Sequence, residues 1–227
     1  MGALVFYVAF LFSTTVHEAA HAWAALRGGD PTAYHGGQVS LDPVPHIRRE
    51  PVGMVLLPVV TVLISGWPFG FASAPYDPHW ARRHPRRAAW MALAGPAANL
   101  ALLLLAVVAI RVGVGLDVFH PPDAIGFATV TASHSASWEQ IGWVLGVFFS
   151  MNLVLFVLNL LPVPPLDGSG ALPLLLSPRA ADRWLELTHQ PMLGWIGILL
   201  AWRIFDEIFM PIFFVVVDWI YPEMIYG

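Results

Sequence analysis

The chain has 227 residues, is 57% hydrophobic and only 11% charged, and carries a formal net charge of −4. Several apolar runs approach the length needed to cross a bilayer, which excludes an ordinary water-soluble globule and points to a polytopic helical membrane protein. No cysteine is present, so disulfides, thiolate zinc sites and a cysteine nucleophile are excluded, and the balance of charge over short loops offers no nucleic-acid surface.

Residues 3–26 form the first apolar run, about 36 Å long as a helix at 1.5 Å per residue. Met1-Gly2 offers no basic leader and the apolar character resumes as far as Leu26, so the run reads as a retained helix and not a cleaved signal. Inside it stands His17-Glu18-Ala19-Ala20-His21. Residues four apart share a helix face, so the two imidazoles can converge on one metal ion, while Glu18 points about 100° away and can reach a metal-bound water. This is the H-E-x-x-H arrangement of zinc proteases. Ionisable groups deep in a lipid-length segment are costly and by default mark a functional site. Arg27-Gly28-Gly29-Asp30-Pro31 ends the helix.

Gln38-Val39-Ser40-Leu41 alternates polar and apolar residues, a weak strand or hairpin signal that an ordinary loop would explain equally well. Asp42-Pro43 and Val44-Pro45 read as turns closing it, and a sheet edge at 36–41 could add an extended peptide as a further strand. Residues 51–72 are apolar but carry Pro51, Pro58, Pro68, Gly66 and Gly70, so they either span or enter and leave on one side. Further apolar runs cover 88–110, 138–161 and 192–220, the last interrupted by Arg203, Asp206, Glu207 and Pro211. Those three charges can pair at i,i+3 and i,i+4 and are expected as an internal ion pair facing the bundle, in preference to a proton pathway. Trp138, Trp143, Trp219 and Tyr221 suit interfacial positions.

Arginine placement favours re-entry of 51–72. The loops 27–50, 73–89 and 162–191 then share one side with nine Arg, against Arg111 alone on the other, and the positive-inside rule makes that side cytoplasmic. In this topology the first helix carries its motif towards the cytoplasm. The fourth run ends at the same depth, where Pro162, Pro164 and Pro165 break the helix. A non-helical arm there can bring Asp167 to the metal and supply the third ligand that two imidazoles lack. The remaining histidines, His35, His79, His84, His120, His134 and His189, fall in loops or at segment ends and read as solvated or interfacial. His46 could line the re-entrant region.

Taken together, the motifs resemble a family. His17 to His21, Gly95-Pro96-Ala97-Ala98-Asn99, and Asn159 to Gly168 in the pattern N-x-x-P-x-P-x-L-D-G look like the site-2 proteases, zinc-dependent intramembrane metalloproteases. Gly29 to Ala33 and Ser40 to Ile47 are similar to the short bacterial and archaeal branch, and the resemblance covers roughly residues 10–170. It implies one Zn2+ held by His17, His21 and Asp167, Glu18 as general base, and Asn99 and Asn159 as residues that position the substrate. It also implies a membrane-protein substrate with a transmembrane segment, and residence in a prokaryotic cell membrane with the active site nearer the cytoplasm. No insertion able to hold a PDZ domain and no C-terminal CBS domain is expected, and Gly168-Ser169-Gly170 replaces the more usual consecutive glycines.

The expectation is therefore a single domain over residues 1–227, all-α and polytopic, with a catalytic core at about 3–170 and a C-terminal membrane segment at 192–220. It should hold about four to five transmembrane helices, a re-entrant segment and, if the weak signal at 36–41 is real, a small β-hairpin. The rival reading is a transporter or channel using buried His, Glu and Asp as a proton relay. It does not account for i,i+4 histidines flanking a glutamate with a further carboxylate at matched depth.

Overall fold

The structure is a computed structural model and describes residues 2–188, 190–224 and 226; His189 lies outside the described residues. In chain order the helices are α1 (Gly2–Gly28), α2 (Thr32–His35), α3 (Pro43–Arg49), a π-helical turn (Val52–Leu56) running into α4 (Leu57–Ser65), α5 (Pro78–Arg83) and α6 (Pro85–Gly115). There follow α7 (Ala136–Asn159), α8 (Asp167–Ala171), a 3₁₀ turn (Leu172–Leu174), α9 (Pro178–Thr188) and α10 (Pro191–Ile220). Among the described residues α1, α6 and α7 are long and apolar enough to cross a membrane. They pack on one another, with α6 in the middle. Their outer faces stay apolar: Leu4, Val8 and Phe12 on α1 and Leu105, Val108 and Val112 on α6 are exposed. An exposed apolar band on every long helix fits a bundle whose solvent is lipid.

The interior divides in two. Leu103, Ile110, Phe149, Leu153, Phe209 and Phe213 join α6, α7 and α10 into an apolar core. Towards the other end, α1 turns an unusually polar face inward, with Ser13, Thr14, Thr15, His17, Glu18 and His21 all buried. Two of these side chains are satisfied from α6, His17 Nδ1 by Asn99 Oδ1 and His21 Nδ1 by the Met91 carbonyl, which ties α6 to α1 at this end.

α10 is too rich in charge to qualify as a span by composition, yet it runs the depth of the bundle. Near its start Gly197 lies against the carbonyl of Pro164. At its end the Ile220 carbonyl accepts a hydrogen bond from Arg111 at the far end of α6, 2.8 Å away. The charged cluster on α10 differs from expectation. Arg203 and Glu207 approach to 3.9 Å, but their side chains are 82% and 75% exposed, and Asp206 is exposed too. One turn of spacing sets the pairing, whereas the face that packs inward is set by Phe209, Phe213 and Val217 further along. Tyr221 departs likewise, being buried, whereas Trp138 and Trp219 are exposed as interfacial residues would be.

Residues 51–72 go out and come back. The helical part, Val52–Ser65, covers about 21 Å at 1.5 Å per residue. Gly66 caps it in the left-handed conformation, φ 77°, which glycine adopts without strain. The return strand of chain is extended and tied to the outgoing helix: Phe69 N–H donates to Thr61 Oγ1 at 2.7 Å and Phe71 N–H to the Gly53 carbonyl at 3.1 Å. The two ends of the segment are therefore neighbours.

The strand signal at 36–41 does not produce a strand or a hairpin. The described residues hold no strand, only an isolated antiparallel bridge between His120 and Ala132. Gln38 and Ser40 turn out to serve side-chain contacts: Gln38 Nε2 donates to the Ser73 carbonyl, and Ser40 Oγ accepts from the Asp42 amide. Asp42-Pro43 opens α3, with Asp42 Oδ1 accepting from Val44 N–H at 2.9 Å and Pro43 at the first helical position. With no sheet edge there, the substrate-binding role expected of residues 36–41 is withdrawn.

Candidate metal centre

Three elements far apart in sequence meet at the centre. α1 supplies His17 and His21, one turn apart on its buried face. α6 crosses directly opposite. The arm after α7 supplies Asp167 as the first residue of α8. Asp167 Oδ2 lies 3.0 Å from His17 Nε2 and 3.3 Å from His21 Nε2, and the two Nε2 atoms are 2.9 Å apart. Among the described residues this is the group of His, Asp and Glu side chains close enough to share a metal ion.

The arm owes its path to the expected proline break. α7 stops at Asn159, and Leu166 is extended, which turns the chain back into the bundle. Gly168 then lets α8 sit against the end of α7, because a Cβ there would strike the Leu160 carbonyl. Ser169 Oγ donates to the Leu166 carbonyl at 2.8 Å, and Trp184 Nε1 of α9 donates to the Ser169 carbonyl at 2.8 Å. The short helix that carries Asp167 is thereby tied to the arm before it and to α9.

The hydrogen-bond network fixes the protons. His21 Nδ1 faces the Met91 carbonyl at 2.7 Å, an oxygen that only accepts, so Nδ1 carries the proton. His17 Nδ1 faces Asn99 Oδ1 at 2.6 Å, and Asn99 Nδ2 donates to the Ser13 carbonyl and to Asn152 Oδ1, so His17 Nδ1 is again the donor. Neutral imidazoles protonated at Nδ1 present Nε2 lone pairs. In that form two lone pairs and a carboxylate oxygen converge, an arrangement that fits a cation and matches the His/His/carboxylate ligand set of catalytic zinc. Gly95 completes the cradle: a Cβ on it would fall against the Nε2 atoms of both histidines. This gives a physical reason for glycine in the Gly95-Pro96 step of α6.

Glu18 is buried and its Oε2 has no hydrogen-bond partner. It lines, with His21, Asp167 and the non-helical stretch 72–74, a cavity of about 330 Å³. That stretch is clamped from outside the cavity. The Ser73 carbonyl accepts from Gln38 Nε2 and Arg49 Nε at 3.3 and 3.1 Å, and its hydroxyl donates to Glu50 Oε1 at 2.6 Å.

Of the residues singled out from sequence, His17, Glu18, His21, Asp167 and Asn99 meet here. Asn99 touches the back of His17 and is fully buried, away from the cavity lining. Asn159 bonds back to the Leu155 carbonyl of its own helix and touches none of the three metal-site residues. His46 is buried, donating from Nε2 to the Ser40 carbonyl at 3.0 Å and leaving Nδ1 unpartnered. Asn152 escaped the sequence reading. An asparagine in the middle of a long apolar run was the available signal, since an amide in lipid must find partners.

The comparisons with known proteins agree with this geometry. The family described as Peptidase family M50 matches residues 5–202. The chain is 32% identical over 169 residues to "Putative zinc metalloprotease YwhC" of Bacillus subtilis, covering 71% of this chain and 64% of that protein. It is 32% identical over 179 residues to "Putative zinc metalloprotease Rip2" of Mycolicibacterium smegmatis, covering 78% and 60%. Against the protein of the same name in Mycobacterium tuberculosis the identity is 33% over 175 residues, covering 75% and 57%. The chain thus spans less than two thirds of the length of these relatives. No solved structure matches it. With its motifs meeting at one centre and the match running through most of its length, the chain belongs to Peptidase family M50.

Proposed function

We propose that the protein is a zinc-dependent endopeptidase that cleaves transmembrane or membrane-proximal segments of membrane proteins. The observation that carries this reading is the convergence of His17 Nε2, His21 Nε2 and Asp167 Oδ2 beside a buried carboxylate, Glu18, whose Oε2 has no hydrogen-bond partner among the described residues. Zinc bound there would supply Lewis acidity, polarising a scissile carbonyl and acidifying a water. The chain's own residues do the rest. His17 and His21 are locked at Nδ1 and offer Nε2. Glu18 lines the same cavity as His21 and Asp167, takes the proton of the attacking water and delivers it to the leaving amine. The surrounding bundle keeps bulk water away, so the charge of Glu18 and Asp167 acts at low dielectric.

A helical peptide bond is shielded and internally bonded, so a transmembrane substrate has to unwind locally before it can be cut. The stretch 72–74, clamped through Ser73, lines the same cavity as Asp167 and gives an extended substrate a fixed surface to lie along. Asn159 sits at the mouth of the proline arm, where it can help to position that chain. The nine arginines around this end of the bundle support a cytoplasmic placement of the centre, and the bacterial relatives support a prokaryotic membrane.

The test compares wild type with Glu18→Gln and Asp167→Ala for bound zinc and for cleavage of a panel of single-span membrane proteins. Glu18→Gln keeps its zinc and loses cleavage by about 10²–10⁴-fold, the usual contribution of a general base. Asp167→Ala loses the zinc. Loss of zinc from Glu18→Gln would make Glu18 a ligand, and cleavage at the wild-type rate would remove the metalloprotease mechanism.

A further inference from the structure

The geometry points to Asn152 as a positioning residue that sets the metal-binding tautomer of His17 by fixing the orientation of the Asn99 amide. The inference rests on the metal-centre reading above and extends it to a residue on α7 that touches no ligand.

Carbonyl oxygens that can only accept fix the orientation of both amides. The Phe148 carbonyl can only accept, and the Asn152 amide approaches it to 2.9 Å, so the atom facing it is Nδ2. Asn152 therefore presents Oδ1 to Asn99, 3.0 Å away. The Ser13 carbonyl, also an acceptor, lies 3.3 Å from the same Asn99 nitrogen. Two acceptors hold Asn99 Nδ2, which leaves Asn99 Oδ1 facing His17 at 2.6 Å and selects the imidazole with its proton on Nδ1. Both asparagines are fully buried. In such a place an amide cannot turn to water for its missing partners.

Reversing Asn99 shows why a second amide is needed. A flipped Asn99 would set its oxygen against Ser13 O and Asn152 Oδ1 and offer an N–H to His17 Nδ1. His17 would then hold its proton on Nε2, the atom that must carry the lone pair for the metal. Of the two acceptors that forbid this, Asn152 is the closer. A partner that orients a metal-ligating histidine typically contributes 10–100-fold in metal affinity. Asn152 acts through a further amide, so Asn152→Leu is expected to weaken zinc binding by about tenfold, at the lower end of that range.

The orientation role exists only because an amide has two unlike ends. In an Asn99→Asp background both oxygens accept, so nothing remains to orient, and Asn152 Oδ1 now faces a carboxylate oxygen. There Asn152→Leu should leave zinc affinity unchanged or raise it. A role in packing alone would give the same loss in both backgrounds.

The experiment measures zinc dissociation constants by competition with a chelator for wild type, Asn152→Leu, Asn99→Asp and the double variant. Asn152→Ala serves in place of Leu if the larger side chain prevents folding. Alongside, the 15N resonances of the imidazoles in metal-free protein report the His17 tautomer: Nδ1 protonated in wild type, shifted towards Nε2 protonation in Asn152→Leu. A tenfold loss that disappears in the Asn99→Asp background, with the tautomer shift, establishes the assignment. An equal loss in both backgrounds, or an unchanged tautomer, overturns it. If wild type takes up no zinc, the protease reading falls, while the tautomer measurement on metal-free protein still decides the role of Asn152.

Discussion

Gly95 shows how much a single missing methyl can matter. α6 is helical through this position, and alanine is the better helix former by about 1 kcal/mol. Propensity alone would make Gly95→Ala stabilising. The added Cβ, however, would strike the Nε2 atoms of His17 and His21, and in a rigid helix crossing it has nowhere to retreat. Gly95→Ala is therefore expected to fold, with a thermal midpoint in detergent within a few degrees of wild type, and to bind zinc poorly or not at all. Retention of stoichiometric zinc would mean that α1 and α6 can separate at the site, against the packing seen here. The three side chains that converge, His17, His21 and Asp167, could be picked out in the sequence because spacing or proline context constrains them: His17 and His21 by the helical repeat, Asp167 by the helix break. Asn152 was not legible. Its role depends on which amide end faces which carbonyl, and that is fixed only by the tertiary meeting of α1, α6 and α7.

The connection from α1 to α5 depends on one buried carboxylate. Asp30 Oδ1 accepts from the amide and hydroxyl of Thr32, and its Oδ2 from the Asp77 amide at 2.8 Å, so the end of α1 is tied to the start of α5. The Gly28 carbonyl is satisfied from the same quarter, by Trp80 Nε1 and Arg87 Nη1, each at 3.1 Å. Burial alone would raise the Asp30 pKa, but the three donors outweigh it and hold it below the usual carboxylate value. A lowered folded-state pKa contributes stability that is complete above the unfolded value of about 3.9 and is lost as the pH falls through the folded one. Asp30→Asn cannot titrate. The stability gap between wild type and Asp30→Asn, read as a difference in thermal midpoint, should hold steady from pH 7 to about 5 and shrink below about 4. A gap that widened in acid would reverse the sign of the argument. These short elements are where sequence reading failed. Gln38-Val39-Ser40-Leu41 alternates like a strand, but its polar residues are committed to Ser73 and to the cap of α3. Alternation specifies a strand only where a second strand is there to pair with it.

For the molecule as a whole, residues 51–72 decide how many times the chain crosses the bilayer. The helical run Val52–Ser65 reaches about 21 Å, against a hydrocarbon core of about 30 Å. The returning chain closes onto its own start through Phe71 N–H and the Gly53 carbonyl. Gln38, before the segment, bonds to the carbonyl of Ser73, after it. From these three features we propose that both flanks lie on one side. α1, α6 and α7 then cross, and α10 follows the same depth from Pro164 back to Arg111. The loops 27–50, 73–89 and 162–191 carry nine arginines against Arg111 alone on the other side, and on that ground we propose that the metal-centre end faces the cytoplasm. Cysteines introduced one at a time at the exposed positions Leu41, His79 and Leu116 report this directly, since the chain has no cysteine of its own. In cells or oriented vesicles, an impermeant maleimide should label Leu41→Cys and His79→Cys only from the cytoplasmic face and Leu116→Cys only from the opposite one. Opposite sidedness of Leu41 and His79 would make 51–72 a full span and would also break the Gln38–Ser73 contact that shapes the cavity wall. Shared sidedness facing outward would keep the fold and reverse its orientation, placing the candidate centre on the other side of the membrane.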